Sequence, residues 1–291
     1  MPISEPGPLA RPLPAGLHFL ATPIGAARDI TLRALDILAA ADVLAAEDTR
    51  TLRHLMEIHG VPLGDRPLIP YHDHNGEAAR PRLLRALAEG KSVAYASEAG
   101  TPLVADPGYQ LARAAIAAGF PVLAAPGPSA VLAALTVSGL PTDRFLFAGF
   151  APAGAGDRAR FLAELAQVPA TLVLYESPKR VNRLLTELRD AWGAERQAAV
   201  CRELTKRFEE VSRGTLGALA DAFAGRAVKG EIVVLVDRAG EQVVDAASIE
   251  QALRAALAGG SVKDAAAEVA AVLNLPRKDV YRMALKLAGR E

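Results

Sequence analysis

The chain has 291 residues, 33 Lys+Arg against 33 Asp+Glu, one cysteine and 51% hydrophobic residues. That length can bury one large or two medium cores, and the composition excludes a disordered tail, a collagenous chain and a disulfide scaffold. A lone Cys201 permits neither an internal disulfide nor a cysteine metal cluster, so a reducing cytosol is the default. Zero net charge gives no global sign of a polyanionic partner.

The first 15 residues hold five prolines and no apolar signal core, and are read as a flexible leader. Strands follow at 17–22, 43–47, 68–72, 93–97 and 121–125. Each precedes a helical pattern, such as Leu32, Leu35 and Leu38, or Leu83, Leu84 and Leu87. The alternation predicts βαβ units and a mostly parallel sheet, and strands apolar on both sides predict cover on both faces. Residues 114–142 carry no charge and are long enough for a bilayer. Gly119, Pro121, Pro126, Gly127, Pro128, Gly139 and Pro141 break them into helix, buried strand, turn and helix, so no membrane span is expected.

Ser138-Gly-Leu-Pro-Thr142 closes an N-terminal α/β lobe at 16–140. Strands at 145–150, 171–176, 198–204 and 231–237, with one near 211–215, predict a second α/β lobe at 141–240. Two such lobes leave a cleft where ligands commonly bind. Residues 241–291 then show three helical patterns at 248–257, 262–273 and 278–287, separated by Gly259-Gly260 and Asn274-Leu-Pro276. The last two have helix-turn-helix spacing, with a plain helical cap as the other reading.

Chemistry in an open α/β sheet gathers past the carboxyl ends of strands. Polar or Gly/Pro residues stand at nearly every one: Ala21-Thr-Pro-Ile-Gly25, Glu47-Asp-Thr-Arg50, Tyr71-His-Asp-His-Asn75, Ser97-Glu-Ala-Gly-Thr-Pro102 and Pro126-Gly-Pro-Ser129. Tyr175-Glu-Ser-Pro-Lys179 and Arg202-Glu-Leu-Thr-Lys206 do the same in the second lobe. One shared site explains them better than seven unrelated turns. Gly154-Ala-Gly156 fits a dinucleotide fingerprint, but its strand ends too early and no acid follows at the right distance. There is no phosphate-binding Walker loop and no G-x-S-x-G elbow. His72 and His74 share a face of an extended segment and suit either a metal or hydrogen bonding, with no third ligand evident. Glu47, Asp48 and Arg50 are either a solvated helix start capped by Asp48 or Thr49, or a carboxylate pair beside a cation for a hydroxyl nucleophile and a phosphate.

Taken in order, Thr22-Pro-Ile-Gly25, Glu47-Asp-Thr-Arg50, His72-Asp-His-Asn75, Ala99-Gly-Thr-Pro102, Asp106-Pro-Gly108, Pro126-Gly-Pro128, Tyr175-Glu-Ser177, Arg202-Glu-Leu-Thr-Lys206 and Lys229-Gly-Glu231 carry a family resemblance. Residues 16–287 resemble the bacterial small-subunit ribosomal RNA 2′-O-methyltransferases, which have the two-lobed tetrapyrrole-methylase-like α/β fold. The resemblance implies methyl transfer from S-adenosylmethionine to the 2′-hydroxyl of cytidine 1402 in 16S rRNA of the small ribosomal subunit. It further implies S-adenosylhomocysteine as product, no metal, a cytoplasmic homodimer and no membrane partner. Donor contacts are implied at Pro23, Glu98, Ala99, Gly100, Val104, Asp106, Ser129, Ala130, Tyr175, Glu176 and Leu204.

The family usually has Asp where this chain has Glu98, and Asn where it has Ala26. For the transfer itself, Asp48 and Glu47 are the candidate bases, Arg50 and Lys206 the charge stabilisers, and His72 an alternate base. The alternatives are a small-molecule tetrapyrrole methylase on the same fold, and a non-catalytic nucleic-acid-binding regulator built on the last helices. Residues 177–213 hold nine Lys+Arg against six Asp+Glu, and residues 261–291 six against four. An RNA footprint would then be local, with a shallow salt dependence.

Overall fold

The computed structural model describes residues 12–72, 74–104, 108–239, 246–273 and 275–289. Strands β1 (Gly16–Leu20), β2 (Val43–Ala46), β3 (Leu68–Pro70), β4 (Ser92–Ala96) and β5 (Val122–Ala125) form one parallel sheet in the order β3-β2-β4-β1-β5. Helices α1 (Leu32–Ala40) and α2 (Thr49–Ile58) cover one face, where Leu38, Leu52 and Met56 pack on Leu20, Leu44 and Ala94. Helices α3 (Gly76–Ala88) and α4 (Tyr109–Ala117) cover the other, through Leu83, Leu87 and Leu111 on Phe19, Val43 and Tyr95. Both faces are buried, as unalternating apolar strands require. The chain leaves β1 and β4, which are neighbours, in opposite directions. Their carboxyl ends therefore form the switch point where open sheets hold ligands.

The second sheet departs from the predicted pattern. Strands β6 (Phe145–Phe150), β7 (Thr171–Glu176), β8 (Gln197–Arg202), β9 (Glu210–Thr215) and β10 (Ile232–Val236) lie in the order β6-β7-β10-β8-β9, and only β6 and β7 are parallel. Helices still alternate with most strands here, yet β8 and β9 are a hairpin and β10 returns antiparallel between β7 and β8. Hydrophobic periodicity locates strands without fixing their direction. Helices α6 (Ala155–Leu165), α7 (Val181–Trp192) and α8 (Leu216–Phe223) cover one face of this sheet.

The other face carries α5 (Ala130–Ser138), whose Val131, Ala134 and Leu135 pack on Val173, Ala199 and Leu235. The crossing between lobes thus lies between β5 and α5, ahead of the Gly139 break, because α5 is the cover of the second sheet. Residues 12–15, expected in the leader, pack on the first lobe, with Leu13 against its core and the Pro14 carbonyl bonded to His18 Nε2 at 3.0 Å.

The contacts divide the chain into Met1–Arg238 and Ala239–Glu291. In the second unit, α9 (Ala246–Leu257), α10 (Val262–Val272) and α11 (Arg277–Leu287) close around Leu253, Val269, Val280 and Ala284. Ser261 caps α10 by accepting the Asp264 N–H at 3.2 Å, and its hydroxyl donates to the Asp264 carboxylate at 2.6 Å. Among the described residues no helix is long and apolar enough to cross a membrane.

Candidate active site

The first-lobe wall is built from backbone. Thr22 and Gly100, just past β1 and β4, exchange N–H···O bonds of 3.0 Å and so zip the two switch-point loops together. The Thr22 hydroxyl donates to the Ser97 carbonyl at 3.2 Å, and the Ser97 hydroxyl to the Gly100 carbonyl at 2.8 Å. Gly100 has φ +79°, and a Cβ there would stand 3.2 Å from Ile24 Cγ2, so glycine serves both the turn and the close approach. The Thr101 hydroxyl donates to the Pro128 carbonyl at 2.9 Å, drawing in the loop after β5. Ser129 in that loop caps α5.

The second-lobe wall is built from side chains. Buried Glu176, ending β7, accepts the Ser177 N–H at 2.7 Å and Arg180 Nε at 3.0 Å through Oε1. Arg180 also reaches Glu176 Oε2 at 3.1 Å and the Ala151 carbonyl, so the carboxylate accepts three bonds from two partners, one of which is itself anchored to backbone. Tyr175 stands edge-on to Phe147 and Phe150, with centroids at 4.8 and 5.6 Å. Burial, with Glu231 nearby, pushes its phenol above the ordinary range. Burial likewise pushes the Cys201 thiol up to about 12, which leaves it a small apolar wall residue at neutral pH.

The turn between β8 and β9 joins the walls. Glu203 and Thr205 have φ of +51° and +64°, an uncommon pair for residues with a Cβ. Glu203 Oε1 holds the turn by accepting Glu231 N–H and Lys206 Nζ, each at 2.9 Å, and Lys206 Nζ also meets Glu231 Oε2 at 2.9 Å. Burial opposes the Lys206 ammonium, but its bonds to Glu231 and Glu203 outweigh that and raise its pKa. Across the cleft, Thr205 Oγ1 accepts the Ala26 N–H at 3.1 Å. A Cβ on Gly25 would lie 2.5 Å from Lys206 Cγ and 2.6 Å from Thr205 Oγ1. Ala26 therefore works here through its backbone.

Between these walls lies a cleft of about 620 Å³, within the range of small-molecule sites. Its charged lining is carboxylate alone: Glu47, Glu98, Glu176 and Glu231, with no Lys, Arg or His among the described lining residues. Pro23, Ala99, Gly100, Val104, Ser129, Tyr175 and Leu204 also line it. Ala130 lies just behind, packed into the α5 core, and Asp106 lies outside the described residues.

Of the catalytic candidates only Glu47 lines the cleft, its Oε2 accepting the Glu98 N–H at 3.4 Å. Asp48 caps α2, accepting the Arg50 and Thr51 N–H groups at 2.7 and 3.4 Å and Arg50 Nη2 at 2.9 Å. Those bonds, led by the Arg50 side chain, hold its carboxyl at about 2. Arg50 is 91% exposed, and Lys206 is engaged by two carboxylates. His72 stands beyond β3, its N–H donating to Asn75 Oδ1 at 2.8 Å and its ring 6.0 Å from His74. Its buried Nδ1 has no partner among the described residues. No group of three or more His, Cys, Asp or Glu suited to a metal occurs among them.

Sequence reasoning missed Thr51, Phe150, Cys201, Ile232 and Val233 as lining residues. Four of these are apolar members or neighbours of strands and carry no local signal. Glu231 precedes β10 rather than following a strand, and only its place in Lys229-Gly-Glu231 pointed to it.

Residues 16–220 match the family profile of the tetrapyrrole (corrin/porphyrin) methylases, and residues 243–288 that of the RsmI C-terminal HTH domain. The chain is 50% identical to the ribosomal RNA small subunit methyltransferase I of Mesorhizobium japonicum over 279 residues, 96% of this chain and 94% of that protein. It is 45% identical to the protein of the same name from Mycobacterium tuberculosis, over 86% of this chain and 87% of that one. In fold it resembles the methyltransferase CobJ, with a TM-score of 0.61 and 22% identity over 79% of this chain and 97% of that one. It also resembles a Thermus thermophilus uroporphyrin-III C-methyltransferase complexed with S-adenosyl homocysteine, with a TM-score of 0.54 and 21% identity over 76% of this chain and 96% of that one.

Proposed function

The chain belongs to the ribosomal RNA small subunit methyltransferase I family, and from that premise we propose that it transfers the methyl group of S-adenosylmethionine to a cytidine 2′-oxygen of 16S rRNA. In this reading it acts on the small ribosomal subunit, in the cytoplasm, as a homodimer. The observation that carries the donor assignment is the cleft's charge. The lining presents only carboxylates as charged groups, Glu47 and Glu98 together with Glu176 and Glu231 that are also bonded to Arg180 and Lys206 outside the lining, and so favours a ligand with sulfonium and ammonium groups. Gly100 leaves backbone open to such a ligand, and Tyr175 with Phe150 offers it an apolar face. The donor supplies a methyl group on a sulfonium, which departs as a neutral thioether.

The chain's own task is alignment, worth roughly 7–11 kcal/mol of a barrier when geometry is well held. The zipped Thr22–Gly100 loops and the Thr205–Ala26 bond supply that rigidity. A ribose hydroxyl is a poor nucleophile at neutral pH, and Glu47, a carboxylate inside the cleft, is assigned to take its proton. Asp48, held at about 2, is a weak base and serves as the cap that places α2 beside Glu47. Lys206 positions Glu203 and Glu231, and Arg50, paired with Asp48 but 91% exposed, is assigned to meet a phosphate at the rim. His72, which does not line the cleft, is left without a step in the transfer.

The test is calorimetry with S-adenosylmethionine, followed by ribose-methylation assays on small subunits, naked 16S RNA and a porphyrinoid. Donor binding and methylated small subunits are expected. Transfer to the porphyrinoid alone would overturn the RNA assignment, and absence of donor binding would overturn the whole reading.

A further inference from the structure

We propose that Arg207 and Phe208, at the tip of the turn between β8 and β9, form a stacking platform for an unpaired RNA base flanking the target nucleotide. Phe208 is 64% exposed. Arg207 lies over that ring, its Cζ 5.4 Å from the centroid, and makes no ion pair among the described residues. An aromatic face with a guanidinium beside it suits an unstacked base and its phosphate: the ring takes the base and the cation its backbone.

The turn that carries the pair is braced. Thr205 N–H donates to Glu209 Oε2 at 2.6 Å, Lys206 N–H to the Glu203 carbonyl at 3.0 Å, and Glu209 N–H to the Lys206 carbonyl at 3.1 Å. These bonds engage the turn on both sides of Arg207 and Phe208 and leave the two side chains for a partner. Little ordering would then remain to be done on binding. The same turn supplies Leu204 to the cleft and Thr205 to the bond with Ala26, so the platform belongs to the turn that forms part of the cleft wall. The loop before β10 is held to this turn by Glu231 and carries exposed Lys229, a second cation for a phosphate backbone. Phe150, another exposed aromatic, belongs to the cleft itself beside Tyr175.

This inference rests on the RNA reading above, and the experiment separates the two. Full-length wild type, Phe208→Ala, Phe208→Leu, Phe208→Trp and Arg207→Gln are compared by three measurements. These are KM and kcat on small subunits, filter binding of small subunits without donor, and calorimetric Kd for S-adenosylhomocysteine. Loss of one base stack predicts a roughly 5- to 150-fold rise in KM and in Kd for subunits in Phe208→Ala. The Kd for S-adenosylhomocysteine and kcat stay at wild-type values. Trp restores binding and Leu does not, since only an aromatic face stacks. Arg207→Gln lowers the salt slope of binding by about one.

Wild-type subunit affinity in Phe208→Ala, or full rescue by Leu, would overturn the platform. So would dissociation of the homodimer in Phe208→Ala, read by sedimentation, because a second copy of the chain would then cover the ring. Failure of the wild type to methylate subunits at all would instead sink the RNA reading.

Discussion

The two walls of the cleft solve the same problem by different means. The first lobe offers backbone: loops after parallel strands, cross-bonded at Thr22 and Gly100 and tied to Pro128 through Thr101. The second lobe offers side chains from the ends of β7 and β8 and from the start of β10, which meet at one edge because β10 runs antiparallel to both. Ile232 pairs with Glu176 on one side and with Arg202 on the other, so Glu231 reaches the cleft from a strand's amino end. The rule that function sits past the carboxyl ends of strands therefore holds for the parallel wall and covers only part of the mixed one.

The largest expected effect divides the walls by chemistry. Glu47→Gln removes the assigned base from the first wall while keeping its shape. A 10²- to 10⁴-fold fall in kcat, roughly the worth of general-base catalysis, is expected with unchanged affinity for S-adenosylhomocysteine. Single-turnover methylation and calorimetry read the two quantities separately. A kcat near wild type would remove Glu47 from that role.

On the second wall the expected loss is in stability. Glu176→Ala strips a buried carboxylate from Arg180 and from the Ser177 N–H. Breaking a buried pair costs about 3–5 kcal/mol, and the lower end applies because Arg180 keeps contact with water and with the Ala151 carbonyl. Urea unfolding measures it. A cost below about 1 kcal/mol would place the pair with ordinary surface salt bridges.

Gly25→Val tests the join between the walls. Its side chain would press on Lys206, Thr205 and the Leu204 carbonyl, which a Cβ alone approaches to 3.0 Å or less. Overpacking of this kind costs about 1–3 kcal/mol. Here the strain falls on the cleft, so weaker binding of S-adenosylhomocysteine should exceed the fall in Tm. Equal affinity in mutant and wild type would show that the turn yields without moving the donor's contacts.

The difference between the walls also governs what could be read from the chain alone. The ten strands and three terminal helices follow from apolar runs and helical spacing, with ends displaced by a few residues at most. Glu98, Ala99 and Gly100 were legible because polar and Gly residues after an apolar run stand out. Ile232, Val233 and Cys201 were not, since wall residues inside a strand look like core. Strand direction in the second sheet and the assignment of α5 to it depend on contacts distant in sequence. The adjacent carboxylates at the end of β2 were both candidate bases on paper, Asp48 with a helix cap as its other reading. Half a turn of backbone separates their fates, with Glu47 in the cleft and Asp48 capping α2.

Asp48 carries the smallest expected effect and the sharpest contrast with Glu47. Asn caps a helix about as well as Asp but carries no charge, so Asp48→Asn keeps the α2 start and loses the charge on Arg50's partner. Methyl transfer near neutral pH should stay close to wild type. The folded-state pKa of about 2 lies below the ordinary 3.8, so the stabilising contribution is present above 3.8 and is lost as pH falls through about 2. The small Tm advantage of wild type over Asp48→Asn should accordingly be steady from pH 7 to 5 and shrink between about pH 4 and 2. Arg50 is exposed, so screening by salt should shrink it as well. A loss of kcat in Asp48→Asn comparable to that of Glu47→Gln would reverse the assignment and make the cap residue the base.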